Sequence, residues 1–396
     1  MAERIGGKIW YGGGVLVSAG LTLLIPVAAR WSVYMLIGLR ALEGIGEGVT
    51  FPSMHALLSR WIPPIERSRA VTFVYAGIHL GAVIGMFLSG VLCEHGFAGG
   101  WPSVFYVFGI TGCVWSFSWF LLCYNSPSVH PRISVAERQY IEKSMECCET
   151  SVKLQTPWTK IATSRPVWSC AAAHFAYNWG IYTMLTCLPM YMHDVLQFNM
   201  MQNGILSSLP YIVTWLIMMG GGFIADWLRA PHRLQTTTVR KLFCAAGLLI
   251  PGLFLIAIGF LGSNRILIVT VIVIAVGSSG LAVSGYGVNY LDLAPKYAGT
   301  LMGLGNTLAT VPGILGPQVV GALTYHASTP AQWQKVFYIT TAIYGFSAAV
   351  FLIFGSGEIQ DWAKVPPTTA DTVQPDCGHS EAQNTGQGLR DVNEIN

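Results

Sequence analysis

Apolar residues in this chain neither alternate nor form narrow stripes; they come in long unbroken runs. Ten such runs lie near 9–29, 33–59, 70–93, 102–124, 167–192, 203–225, 240–261, 266–290, 298–324 and 335–355. Each is of the length that about 30 Å of hydrocarbon requires of a helix rising about 1.5 Å per residue. The pattern turns polar over 125–166, where "ISVAERQYIEKSM" keeps helical spacing and predicts a surface helix. Beyond 356 the chain is rich in Pro, Thr, Gln and Gly, the composition of a disordered tail. The expected layout is a four-helix bundle over 1–124, a cytosolic loop over 125–166, a six-helix bundle over 167–355 and a cytosolic tail over 356–396.

Composition strengthens this reading. Hydrophobic residues make up 53% of the chain and charged residues only 10%, with a mean hydropathy of +0.51. A chain so poor in charge has too few solvated groups to cover a water-soluble globule, so lipid is its main solvent and the fold class is all-α membrane protein. The net charge of +3 is too small to argue for a nucleic-acid partner, and none is expected. No H-E-x-x-H, serine-triad spacing or phosphate loop occurs, which argues against an enzyme, and the scattered cysteines lack metal-ligand spacing.

The basic residues set the orientation. With the N-terminus in the cytosol, 18 Lys and Arg fall on the cytosolic side and 3 on the other, with Arg40 alone inside a helix. The segments "PPIERSRAVTFVYAG" and "APKYAGTLMGLGN" each join helices across a short cytosolic turn, a weak internal repeat of the kind that builds two-bundle transporters. In that register the second bundle has six helices, and the chain starts where a third helix of the first bundle belongs.

Residues 36–61, "LIGLRALEGIGEGVTFPSMHALLSRW", hold the candidate chemistry. An ionised side chain at bilayer depth costs roughly 2.5–3.5 kcal/mol on insertion scales, so Arg40, Glu43, Glu47 and His55 in one segment need a reason. At about 100° per residue the four share an arc of about 120°. One reading is a structural ion pair between Arg40 and a glutamate. The other is a proton-responsive site: two carboxylates beside one arginine leave one negative charge unbalanced, and that carboxylate is the natural proton carrier, with His55 as a further candidate. Gly44 and Gly48 form a G-x-x-x-G at which a neighbouring backbone is expected to approach. Pro52 is expected to kink the helix beside His55. Tyr75, Tyr177, Asn178, Tyr182, Asn289 and Asn306 place hydrogen-bonding groups at depth and are the substrate-binding candidates, whereas Asp226 and Asp292, at cytosolic helix ends, are expected to pair with nearby basic turns.

The stretches "RALEGIGEGVTFPSMHALLSRWIPPIERSRA", "TPWTKIATSRPVW", "HFAYNWGIYTMLTCLPMYM", "NGILSSLPY", "IADWLR", "NYLDLAPKYAG" and "GEIQDWA" together resemble the anion-cation symporter family of the major facilitator superfamily. That family includes sialin, the vesicular glutamate transporters and the sodium-phosphate cotransporters, and the likeness is strongest to the sialin branch. It runs from about residue 4 to 363. It implies a two-bundle fold of twelve helices, of which about ten (four and six) fall in this chain. It also implies Glu43 and Glu47 as proton-coupling residues with Arg40 as their partner, and Tyr75, Tyr177 and Tyr182 as cavity residues. Asn178 stands where glutamate transporters place an arginine. The family's first helix supplies an arginine for the substrate carboxylate, and the resemblance places that helix outside this chain.

The function expected is proton-coupled transport of an organic anion, sialic acid or an acidic amino acid, out of an acidic compartment by alternating access. The alternatives are a vesicular glutamate carrier, a sodium-phosphate or organic-anion carrier, and a non-transporting shorter form. No cofactor is expected; the driving force is a proton gradient, with sodium as the alternative coupling ion. The expected partners are a small anionic substrate and membrane lipid, and the expected location is a lysosomal or other acidic vesicle membrane, with the plasma membrane as the alternative.

Overall fold

The structure is a computed structural model that describes residues 6–145, 156–230, 233–262, 264–325 and 327–364. All regular elements among the described residues are helical. The first half comprises α1 (Gly7–Trp31), α2 (Val33–Gly48), α3 (Thr50–Trp61), α4 (Arg67–His95) and α5 (Trp101–Leu122). The central segment holds α6 (Val135–Met145) and α7 (Trp158–Thr163). The second half comprises α8 (Arg165–Asp194), α9 (Met200–Arg229), α10 (Thr236–Ala257), α11 (Arg265–Ser278), α12 (Val288–Leu293), α13 (Ala298–Thr324) and α14 (Pro330–Phe354).

Each apolar run of the sequence becomes helix, and α6 is the surface helix expected from "ISVAERQYIEKSM". Among the described residues eight helical stretches are long and apolar enough to cross a membrane. The two runs that miss this description do so for physical reasons. The run at 33–59 is broken at Val49 into α2 and α3. Pro52 has no N–H for the Gly48 carbonyl one turn back, and its ring crowds that carbonyl, so the break falls there. The other run is α8, with more than half of its residues buried, His174, Tyr177 and Asn178 among them. A helix enclosed by protein needs no continuous lipid-facing surface.

Within the first half α1 packs against α2 and α5; within the second, α13 packs on α8, α14 on α10, and α11 on both α9 and α10. The halves meet along two seams, α4 against α9 and α3 against α13. The first seam is tight because Gly222 of α9 has no side chain: a Cβ there would lie 2.0 Å from Thr72 Oγ1 and 3.0 Å from the Arg69 Cα. The expected G-x-x-x-G contact, by contrast, is not made by Gly44 and Gly48, near which a Cβ would meet nothing. Gly46, between them, faces α1, and a Cβ on Gly14 would sit 2.5 Å from the Gly46 carbonyl oxygen.

The second half contains one irregularity. After α11 the chain passes through a π-helical turn, Val283–Gly287, before α12. Such a wide turn shifts carbonyls out of the regular ladder and is often found at functional sites. Past α14 the described chain continues as a strap: Gly357 N–H donates to Thr237 Oγ1 (2.8 Å), Gln360 N–H to the Leu293 carbonyl (2.9 Å), and Trp362 packs on Tyr297. Residues 365–396, the remainder of the expected tail, lie outside the described residues.

Candidate functional site

The charged stripe on α2 separates into two unlike carboxylates. Glu43 is buried at 4% exposure. Its Oε2 is 3.1 Å from Arg40 Nη1, and its Oε1 accepts a 2.8 Å hydrogen bond from Thr22 Oγ1 of α1. Arg40 is half exposed and its guanidinium lies 5.7 Å from the centre of the Phe105 ring. Glu47, one turn further along, is exposed, and its carboxylate makes no hydrogen bond among the described residues. It interacts electrostatically with Glu43 and Arg40, and Tyr182 of α8 is close enough to sense its charge. Both ion-binding groups of Glu43 come from fixed helices, so its charge is compensated in place. Glu47 is the carboxylate left over.

His55 does not join this stripe. It sits at the edge of the arc, about 120° around the helix from Glu43, and points into the seam between the halves. It is fully buried, with Nδ1 3.2 Å from the Phe51 carbonyl and Nε2 3.2 Å from the Gly287 carbonyl in the π-turn. A neutral imidazole donates to only one of two such acceptors; the imidazolium donates to both. Around it lies a layer of histidines and tyrosines. His55 meets Tyr75 and Tyr290 edge-on, with ring centres 6.0 and 6.3 Å apart, and His174 stacks on Tyr286 at 4.9 Å. His79 Nε2 is 3.1 Å from Tyr177 Oη and stacks on Tyr211. These residues come from α3, α4, α8, α9, the π-turn and α12, and all are buried, so the layer fills the seam between the halves.

The other candidates distribute unevenly. Tyr75 Oη reaches Met302 Sδ of α13 at 3.7 Å, and Asn178 Nδ2 donates to the Ala309 carbonyl of α13 at 2.8 Å. Tyr182 is half-buried and packs beside Gly313 of α13, and Asn306 is half-buried. Asn289 is fully buried, donates to Cys170 Sγ at 3.2 Å and does not meet the other candidates. Thr22, His174, Tyr211, Tyr286 and Tyr290 had no role in the sequence reading of the site. Only the Tyr286–Tyr290 spacing, one helical turn in "YGVNY", carried a local signal. Among the described residues no cluster of His, Cys, Asp and Glu is suited to a metal ion.

At the end of the same seam that the Lys and Arg distribution is expected to place in the cytosol lies a buried charge cluster. Asp226, at the end of α9, accepts from the backbone N–H groups of Ser68 (3.1 Å) and Arg69 (2.8 Å) at the start of α4, where the helix dipole favours an anion. Arg229 pairs with Asp226 at 3.6 Å, as expected of a nearby basic turn. The partners of Asp292 are more distant in sequence: Arg240 Nε at 2.7 Å and Arg67 Nη1 at 3.6 Å, all of these side chains being almost fully buried. The cluster joins α4 of the first half to α9, α10 and α12 of the second.

An inter-half seam, charged groups at membrane depth and alternating elements from two bundles describe a transporter, and comparison with known proteins agrees. The profile of the Major Facilitator Superfamily matches residues 1–317. Human sialin is 47% identical over 92% of this chain and 72% of its own length. The chain belongs to the sialin and vesicular glutamate transporter family of the major facilitator superfamily. Vesicular glutamate transporter 3 of Danio rerio is 41% identical over 94% of this chain, which spans 62% of that protein. The fold is shared with the proton:xylose symporter XylE, at a TM-score of 0.70 and 13% identity over 90% of this chain and 82% of that one. The protein is therefore a multi-pass membrane protein of a small-anion transporter family, not an enzyme.

Proposed function

We propose that the protein is a proton-coupled organic-anion transporter of sialin type, carrying an acidic sugar or acidic amino acid out of an acidic compartment such as the lysosome. The observation that carries this reading is the inequality of the two glutamates. Glu43 is bonded to Arg40 and Thr22 and held in place, while Glu47 is exposed and makes no hydrogen bond among the described residues. Glu47 is the proton carrier in this reading, Glu43 holds Arg40 in position, and Tyr182 and Asn306 lie on the substrate path. Tyr75, Tyr177, Asn178 and His55 belong to the barrier between the halves, and substrate reaches the cytosol when that barrier parts. The 47% identity to human sialin supports the substrate class.

Transport by the protein in proteoliposomes, with the family's first two helices present, under an imposed pH gradient tests the reading, with labelled sialic acid and glutamate as substrates. Wild-type flux follows the proton gradient and is indifferent to sodium. Glu47→Gln, which mimics the protonated carboxyl, loses gradient-driven net flux and keeps exchange of labelled for unlabelled substrate. If Glu47→Gln retains gradient-driven flux, the proton travels elsewhere and the assignment fails; a requirement for sodium would favour a sodium-coupled carrier.

A further inference from the structure

Helices α8, α13 and α14 enclose a groove of about 500 Å³. Two stripes form its walls. On α8, Arg165, Trp168, Ala172 and Phe175 follow one another at three- and four-residue spacing, within about 80° of the helix circumference. On α14, Ala342, Phe346 and Phe354 fall within about 120°. Leu308 of α13 closes the third side, and the lining is apolar apart from Ser347 and the edge of the Trp168 indole. Trp168 and Phe346 are 45% and 69% exposed, so the open side of the groove is itself apolar. Glu47, Tyr182 and Asn306 do not line it, which sets it apart from the substrate path.

At one end the two stripes meet in a cation. The Arg165 guanidinium lies 5.8 Å from the centre of the Phe354 ring and has no carboxylate partner among the described residues. The sequence holds no acidic residue between 157 and 193, and Glu358 and Asp361, which follow Phe354, both interact with Lys364. Trp168 Nε1 donates to the Ala162 carbonyl (2.7 Å), which fixes the indole as a wall of the groove. From Arg165 to Phe175 the helix rises about 15 Å, half of the roughly 30 Å of hydrocarbon and so the depth of one leaflet. An arginine and a tryptophan at a helix end are ordinary interface anchors; an apolar groove leading inward from them is not.

We propose that this groove binds one anionic phospholipid of the surrounding membrane, with its phosphate on Arg165 and an acyl chain laid between α8 and α14. Water gains too few hydrogen bonds from such walls to fill the space, whereas a hydrocarbon chain makes dispersion contacts along its whole length. A sterol would fill the apolar part and leave the guanidinium without a counter-charge; an anionic headgroup supplies it, as basic pockets between membrane helices do for acidic lipids. A chain in the groove touches Leu308, whose neighbour Ala309 accepts the hydrogen bond from Asn178, and so braces α8 against α13. The site is independent of the substrate assigned to the transporter.

The test titrates phosphatidylserine or phosphatidylcholine into the purified protein in detergent micelles and follows the thermal unfolding midpoint. Phosphatidylserine raises the midpoint saturably and at lower concentration than phosphatidylcholine, as mass action requires for a ligand of the folded state. Arg165→Gln weakens the response to phosphatidylserine about fivefold, the equivalent of about 1 kcal/mol for one basic residue at an anionic surface, and leaves that to phosphatidylcholine unchanged. Arg233→Gln, which removes a guanidinium lying over Trp227 and outside the groove, changes neither. Ala342→Trp fills the groove from an exposed position and removes the saturable response to both lipids. A phosphatidylserine with a photoreactive acyl chain labels Trp168–Phe175 and Ala342–Ser347. Equal responses to the two lipids overturn the proposal, as do equal losses in Arg165→Gln and Arg233→Gln. Labelling spread evenly over the helices, or absent from the groove because a second copy or a further helix covers it, also overturns it, and this readout decides the matter even if Ala342→Trp does not fold.

Discussion

Replacing Asp292 by Asn tests how much the cytosolic cluster stabilises the closed seam. The substitution keeps the volume of the side chain and one of its two acceptor oxygens, so it opens no cavity; it removes one negative charge from a site in which Asp292, Arg240 and Arg67 are each no more than 4% exposed. Three guanidinium groups would then face only Asp226, and the surplus would rise from one charge to two. Breaking one side of a buried ion pair costs about 3–5 kcal/mol, mainly because the remaining charge is left buried. Since Asn still accepts one bond from Arg240, the lower end applies, about 3 kcal/mol. Against total stabilities of about 5–15 kcal/mol this is a large fraction, and it corresponds to a fall in unfolding midpoint on the order of 5 °C. Scanning fluorimetry of the purified protein reads this shift, and Asp361→Asn, on a fully exposed pair with Lys364, serves as the control with no change. Removing the partner as well, in Asp292→Asn/Arg240→Met, should recover part of the loss, because the uncompensated charge goes with it. A midpoint within a degree of wild type for Asp292→Asn, or losses in the double variant that simply add, would refute the account of a coupled buried cluster.

Two further outcomes follow from packing. Glu43→Gln and Thr22→Val should each lower stability by about 1–2 kcal/mol, through loss of the Thr22 hydrogen bond and, for Glu43, of a pair weakened by the exposure of Arg40; denaturation in mild detergent measures both, and two neutral substitutions would show that Glu43 is not structurally held. Gly222→Ala should push α9 away from Thr72 and cost about 1–3 kcal/mol by overpacking, whereas Gly44→Ala, with open space around it, should cost almost nothing; equal effects at the two glycines would mean that the α4–α9 seam is looser than its geometry implies.

Much of the fold was legible in the chain because its cause is local. A helix in lipid must satisfy its own backbone and present apolar side chains, so a lipid-facing helix announces itself by length and composition. The Arg40–Glu43 pair was equally legible, since groups three apart on one helix are neighbours wherever that helix lies. What differs between Glu43 and Glu47 was not, because the difference is made by Thr22, a residue on another helix. His55 shared the arc only at its edge, and what it meets there, the Gly287 carbonyl of the other half, is set by packing between the halves. Asp292 finds its arginines on α10 and α4, and the π-turn that offers Gly287 to His55 has no periodic signature at all. Hydropathy depends on each residue and its solvent, so sequence alone determined the membrane class and the apolar helices. Which charge is matched and which is left free depends on atoms that meet only when the helices pack, and only the tertiary structure decided that.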